Sequence, residues 1–123
     1  RVPSAGIIKK IFYKPGKFLN ASLDKSSEEN ERNYVDLENS EGNKLILVQI
    51  AGLIARRIVC EVDVNQDLNK GDRIGIIKFG SRVDLYLPKE YDILVSEGQK
   101  VIAGETIISN PELLNKVTAT EIK

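Results

Sequence analysis

The stretch IIKFGSRVDLYLP, residues 76–88, sets a Gly-Ser bond, Gly80-Ser81, between two runs with strand-like alternation. Glycine inside a strand pattern usually marks a close backbone approach or a local distortion. The pair also has a chemistry of its own. A serine hydroxyl held against the preceding carbonyl can attack it and move the acyl group from nitrogen to oxygen. Gly80, without a Cβ, leaves that approach open and tolerates a strained backbone. β-Elimination of the resulting ester gives dehydroalanine, and hydrolysis leaves a pyruvoyl group on a new N-terminus. Such a carbonyl accepts amines and takes up electrons, as pyridoxal phosphate does. Gly-Ser pairs are common, so an ordinary strand serine is the competing reading.

Other reactive side chains are few. The 123 residues contain no histidine, which removes the commonest acid-base group and metal ligand, and with it any serine triad within the chain. Cys60 is the only cysteine; it sits in the run Ile58-Val59-Cys60 and reads as a buried, inert thiol. One cysteine excludes an intrachain disulfide and a thiolate metal cluster. Asp24, Glu28, Glu29 and Glu31 fall in the polar stretch NASLDKSSEENERN, residues 20–33, where a solvated surface loop is the simplest expectation. The chain has no phosphate-cradling loop, dinucleotide fingerprint, zincin motif or nucleophile elbow.

The elements that must position the Gly-Ser bond are β-strands. Short Ile- and Val-rich runs at 7–13, 33–38, 44–51, 58–64, 73–79, 82–87, 92–95 and 106–109 are separated by Gly, Asn, Pro and Asp. Val83, Leu85 and Leu87 should face one way, Arg82, Asp84 and Tyr86 the other. Glu41-Gly42-Asn43 predicts a hairpin turn, and single helical turns are expected at 52–57 and 111–116. Ile8, Ile46, Val48, Ile50, Ile58 and Val62 are the expected core. The expectation is one all-β domain over residues 1–123, compact, barrel-sandwich-like and with minor helix. LNKGDRI (68–74) and VSEGQKV (95–101) form a faint repeat around Gly71 and Gly98, similar to the Gly turns of biotinyl and lipoyl carrier domains. Lys plus Arg equals Asp plus Glu at 18 each, which argues against a nucleic-acid partner. No apolar run reaches the ~18 residues of a membrane span.

Six stretches together resemble the shorter bacterial and archaeal branch of the phosphatidylserine decarboxylase family. They are KFLNA (17–21), ENERN (29–33), QIAGLIARRI (49–58), GDRIG (71–75), IIKFGSRVD (76–84) and VIAGET (101–106), in the family's order along nearly the whole chain. The resemblance implies a proenzyme that cuts itself at Gly80-Ser81. Residues 1–80 would end the β chain, and Ser81 would become the pyruvoyl group heading an α chain of residues 81–123. It implies conversion of phosphatidylserine to phosphatidylethanolamine by a peripheral enzyme on the cytoplasmic side of the cell membrane, without metal. Its partners would be the other cleaved chain and, in an oligomer, further copies. Asn30 and Arg32, in the Asn-Glu-Arg pattern, are placed near the lipid headgroup. Gly52 and Arg56 are read as packing and an ion pair.

The same resemblance places a histidine a few residues before the proline matched by Pro3, and an acidic partner further upstream. Arg1 stands where longer members carry a second histidine. The expectation is therefore a proenzyme piece lacking its N-terminal part, uncleaved and inactive for want of a general base. Arg1-Val2-Pro3 starts without Met, in keeping with a fragment or a processed chain. The runner-up is a biotinyl- or lipoyl-like carrier or interaction module. Such a domain should present a modified Lys at a hairpin tip, and Asp24-Lys25-Ser26, the nearest echo, lies in the polar stretch. A structural β domain with an accidental Gly-Ser, or a pyruvoyl decarboxylase of another amino acid, remain as further alternatives.

Overall fold

The computed structural model describes residues 1–20, 26–53, 57–77, 82–102 and 106–109. Three long strands carry the fold: β1 (Gly6–Lys14), β2 (Arg32–Asn39) and β3 (Lys44–Ile50). Short strands β4 (Ile58–Cys60), β5 (Asp67–Leu68), β6 (Gly75–Ile77) and β7 (Arg82–Tyr86) complete it, with one four-residue helix, α1 (Ser26–Glu29). A five-stranded antiparallel sheet runs β5-β1-β2-β3-β7, and β4 and β6 form a separate two-stranded sheet. The all-β class with minor helix is what the chain adopts.

Register explains the core. Asn33, Val35 and Leu37 of β2 stand opposite Gln49, Leu47 and Leu45 of β3, which in turn oppose Val83 and Leu85 of β7. Residues on one face recur every second position, so these rows share a face that is largely buried over β2 and β3 and opens to solvent at Val83. A bulge in β1 between Ile8 and Lys10 keeps that strand in step. Ile8 pairs with Leu37 and Ile11 with Val35, whereas strict alternation would turn Lys10 inward. Val62, Leu68, Ile74 and Val2 pack onto the inner face with Ile8, Val35, Leu37 and Leu45. Of the expected core, Ile8, Val48, Ile50 and Val62 are buried, while Ile46 and Ile58 are only partly so. Cys60 is half-buried against this cluster.

The Gly repeat is real in three dimensions. Gly71 and Gly98 have φ of +87° and +83°, the left-handed region that glycine occupies without Cβ strain. Both turns carry the same bonds. Asp72 N donates to Asn69 O at 3.0 Å and Asn69 N to Asp72 Oδ2 at 2.8 Å. Gln99 N donates to Ser96 O and Ser96 N to Gln99 Oε1, each at 3.1 Å. The predicted hairpin turn joins β2 to β3, where Asn39 Oδ1 accepts from Glu41 N and Asn43 N.

Several expectations need correction. The strand foreseen at 58–64 stops at Cys60, because the chain turns where Asn65 takes a φ of 71°. The runs at 92–95 and 106–109 meet in one isolated bridge, Ile93 with Ser109. Strand β5, in a polar stretch, exists because β1 offers an edge. Residues 20–33 are not one solvated loop: the described part holds α1, buried Asn30 and the start of β2. The helical turn at 52–57 falls partly, and that at 111–116 wholly, outside the described residues.

Candidate functional site

Gly80 and Ser81 lie outside the described residues; their flanks do not. Strand β6, in the two-stranded sheet, leads into residues 78–81, and β7, in the five-stranded sheet, follows them. In sequence, the bond therefore falls between the end of a strand of one sheet and the start of a strand of the other. On its C-terminal side Arg82 pairs with Ile50 and Val83 with Gln49. The Arg82 guanidinium grips Asp84 through Nε to Oδ1 at 2.7 Å and Nη2 to Oδ2 at 3.1 Å. Such bidentate pairing fixes a side chain in direction as well as distance.

The other distant stretches converge on the same end of the sheet. Arg32 pairs with Ile50 and Ile50 with Arg82, so these three residues form one row across β2, β3 and β7. Two strand spacings separate Arg32 from Arg82 at the Cα level, about 10 Å. Asn30, one of the most buried polar residues at 1% exposure, donates through Nδ2 to Leu19 O and Ala51 O, both at 2.7 Å. Its Oδ1 accepts from Leu19 N at 2.9 Å. Arg32, 2% exposed, donates from Nε to the Asn30 carbonyl at 2.9 Å. The Asn30 amide thus ties KFLNA to QIAGL, and Asn30 and Arg32 lie at the end of the sheet where β7 starts, with β3 between them and β7. Gly52 is buried next to Ala51; Arg56 is outside the described residues.

Beside this corner, Glu31 accepts from Tyr13 Oη and, at 3.3 Å, from Gly16 N. Burial, then the Glu31 hydrogen bond, then the Glu31 charge push the Tyr13 phenol up to about 12. Of the other acidic residues in the stretch, Glu29 meets Lys17 at 3.5 Å, Glu28 is exposed, and Asp24 lies outside the described residues. Among the described residues no group of three or more His, Cys, Asp or Glu is placed to hold a metal. No described helix is long and apolar enough to cross a membrane.

The sequence reading missed Gln49, Asn33 and Gly75. Asn33 and Gln49 are buried on the inner face, bonded Nδ2 to Oε1 at 3.0 Å. Their signal was a glutamine at a core position of the run LILVQI. A cavity of about 140 Å³ opens between Gln49, Gly75, Ile77 and Val83, between the two flanks of the bond. A larger one of about 470 Å³ lies at the other end of β3, against Leu45, Leu87 and Ile107.

Residues 1–109 match the family model described as phosphatidylserine decarboxylase. The chain belongs to the phosphatidylserine decarboxylase family. It is 61% identical over 109 residues to a phosphatidylserine decarboxylase proenzyme of Pelagibacter ubique, covering 89% of this chain and 50% of the relative. To the proenzyme of the Wolbachia of Brugia malayi it is 51% identical over 121 residues, 98% of this chain and 51% of the relative. The proenzyme of Rickettsia africae is 56% identical over 110 residues, 89% of this chain and 48% of the relative. The chain spans about half the length of the curated relatives it matches. No solved structure matches it.

Proposed function

We propose that this chain is the self-processing portion of a phosphatidylserine decarboxylase, cut between Gly80 and Ser81. The observation that supports it is the row Arg32–Ile50–Arg82, which brings three family-matching stretches to the link between the sheets. In the cleavage, Ser81 Oγ bonds to the Gly80 carbonyl carbon, the C–N bond breaks, and the freed nitrogen takes the proton. A base then removes the Ser81 α-hydrogen as the Gly80 carboxylate leaves. The dehydroalanine tautomerises, and water replaces its nitrogen, which departs as ammonia. The pyruvoyl group so formed supplies a carbonyl electron sink for loss of CO2 from a phosphatidylserine headgroup.

This chain's own residues supply structure for that chemistry. Strands β6 and β7 belong to separate sheets, so the two new ends remain anchored after cleavage, β7 through its ladder to β3. Asn30 spends its amide on backbone groups, which supports a role in building the wall against which a headgroup would rest, with Arg32 beside it. The 123 residues hold no histidine, so an imidazole base would have to come from outside them. Contact with a lipid surface follows from the proposed substrate, and the cytoplasmic face of the membrane is the proposed side. The carrier reading is disfavoured by the family match over residues 1–109, and its nearest echo, Asp24-Lys25-Ser26, falls largely outside the described residues.

The test is mass spectrometry of the full-length proenzyme. Two pieces dividing at Gly80-Ser81, the smaller one blocked at its N-terminus, are expected, with CO2 released from phosphatidylserine vesicles. Ser81→Ala should stay whole and inactive. A whole parent protein, or a cut Ser81→Ala protein, would sink the proposal.

A further inference from the structure

Gln49 breaks the logic of the strand it sits in. Leu45 and Leu47 precede it on the inner face of β3, and a third apolar side chain would continue the core. An amide stands there instead, with 3% exposure, and burying an amide costs free energy unless it is hydrogen-bonded. Its bonds point to both sides of the Gly80-Ser81 link. Through the backbone ladder Gln49 faces Val83, two residues beyond Ser81. Through its side chain it reaches the other sheet: Nε2 donates to Val59 O of β4 at 3.5 Å, a long bond, while Oε1 is held by Asn33 Nδ2 at 3.0 Å.

The same amide sits against β6, the strand that leads into the link. A Cβ at residue 75 would fall 2.8 Å from Gln49 Nε2 and 2.0 Å from Val59 O, so only glycine lets β6 approach this closely. Both residues line the 140 Å³ cavity between the flanks, together with Ile77 and Val83. Gln49 therefore spans from the five-stranded sheet to the two-stranded sheet, next to the two strands that flank the bond in sequence. Asn33, on the neighbouring strand, holds its orientation.

We propose that Gln49, oriented by Asn33, is a positioning residue for self-cleavage, setting the separation and register of the two flanks so that Ser81 meets the Gly80 carbonyl. It acts through β6 and β7, not on the reacting atoms. The inference rests on the proposed cleavage at Gly80-Ser81. Misplacement of a reacting group by about 1 Å is enough to slow a reaction about a hundredfold, so a small shift of either flank should be visible.

The experiment follows the rate of appearance of the two pieces in the full-length proenzyme, with thermal stability measured on the same samples. Gln49→Met keeps length and volume while removing the amide, and it should slow cleavage at least about tenfold. That variant leaves Asn33 without its partner. Replacing both members of a buried polar pair by apolar groups can be nearly neutral in stability, so Asn33→Leu/Gln49→Met should melt closer to the parent and still cleave slowly. Parental cleavage in the double variant would overturn the proposal, because the pair would then serve stability alone. Should both variants fold poorly, Gln49→Glu, nearest in shape, decides by the same readout: slow cleavage supports the role, and parental cleavage removes it. An uncut parent, or a cut Ser81→Ala control, would instead overturn the cleavage reading and this proposal with it.

Discussion

Asn30 shows how a residue in a polar stretch becomes a cornerstone. Its side chain closes three bonds to backbone groups of Leu19 and Ala51, in a place where water does not reach. Asn30→Ala would orphan them, and a buried unsatisfied group costs about 1–3 kcal/mol. A loss of about 3 kcal/mol is expected, read as a lower urea midpoint at unchanged slope. Tyr13 carries a second prediction. Its phenol is raised to about 12 by burial and by Glu31, so the fold favours the protonated form. That contribution is fully present below the unfolded value of about 10 and is lost as pH rises through about 12. With Tyr13 46% exposed the effect is small. The stability advantage over Tyr13→Phe should hold constant to about pH 10 and shrink above it, alongside a late rise in phenolate absorbance.

Among the elements, the two-stranded sheet is the smaller partner on which the proposed cleavage would depend. Strands β4 and β6 pair over only three residues, Ile58 with Ile77, Val59 with Ile76 and Cys60 with Gly75. One further bond, Glu61 N to Ile74 O at 2.7 Å, extends the ladder. Gly75 is where it is most sensitive. A methyl group there meets Val59 O at 2.0 Å, and a backbone oxygen in a ladder cannot step aside. Gly75→Ala should therefore separate β4 from β6, with a cost of about 1–3 kcal/mol typical of overpacking. In the full-length protein the expected result is faster amide exchange at residues 58–61 and 74–77, and slow or absent cleavage. Unchanged exchange would show that the close approach is not required.

At the scale of the whole molecule, one inner face unites strands from both sides of Gly80-Ser81. Ile8, Val35 and Leu45 lie before the bond in sequence, and partly buried Leu87 after it, in one apolar cluster. Cleavage would therefore leave the two pieces held by core burial and by the β3–β7 ladder, and they should co-purify until denatured. The 123 residues taken alone lack histidine, so they should remain one species near 13.7 kDa. Intact-mass measurement checks this. Division at Gly80-Ser81 in that chain would mean that self-cleavage needs no imidazole.

The sequence by itself determined the β class, the long central strands, the hairpin at Glu41-Gly42-Asn43 and the alternation along β7. Each rests on local physics: side-chain period, turn chemistry and β-branched composition act within a few residues. It also carried the paired Gly71 and Gly98 turns, whose bonds close within four residues. Only the tertiary structure decided the rest. Strand β5 exists because β1 has an edge to fill, and the runs at 92–95 and 106–109 make a single bridge. Asn30, Asn33 and Gln49 look solvent-seeking in one dimension and are buried in three, because their partners lie 11 to 21 residues away. Pairing at that range depends on where strands meet, and neither composition nor period encodes it.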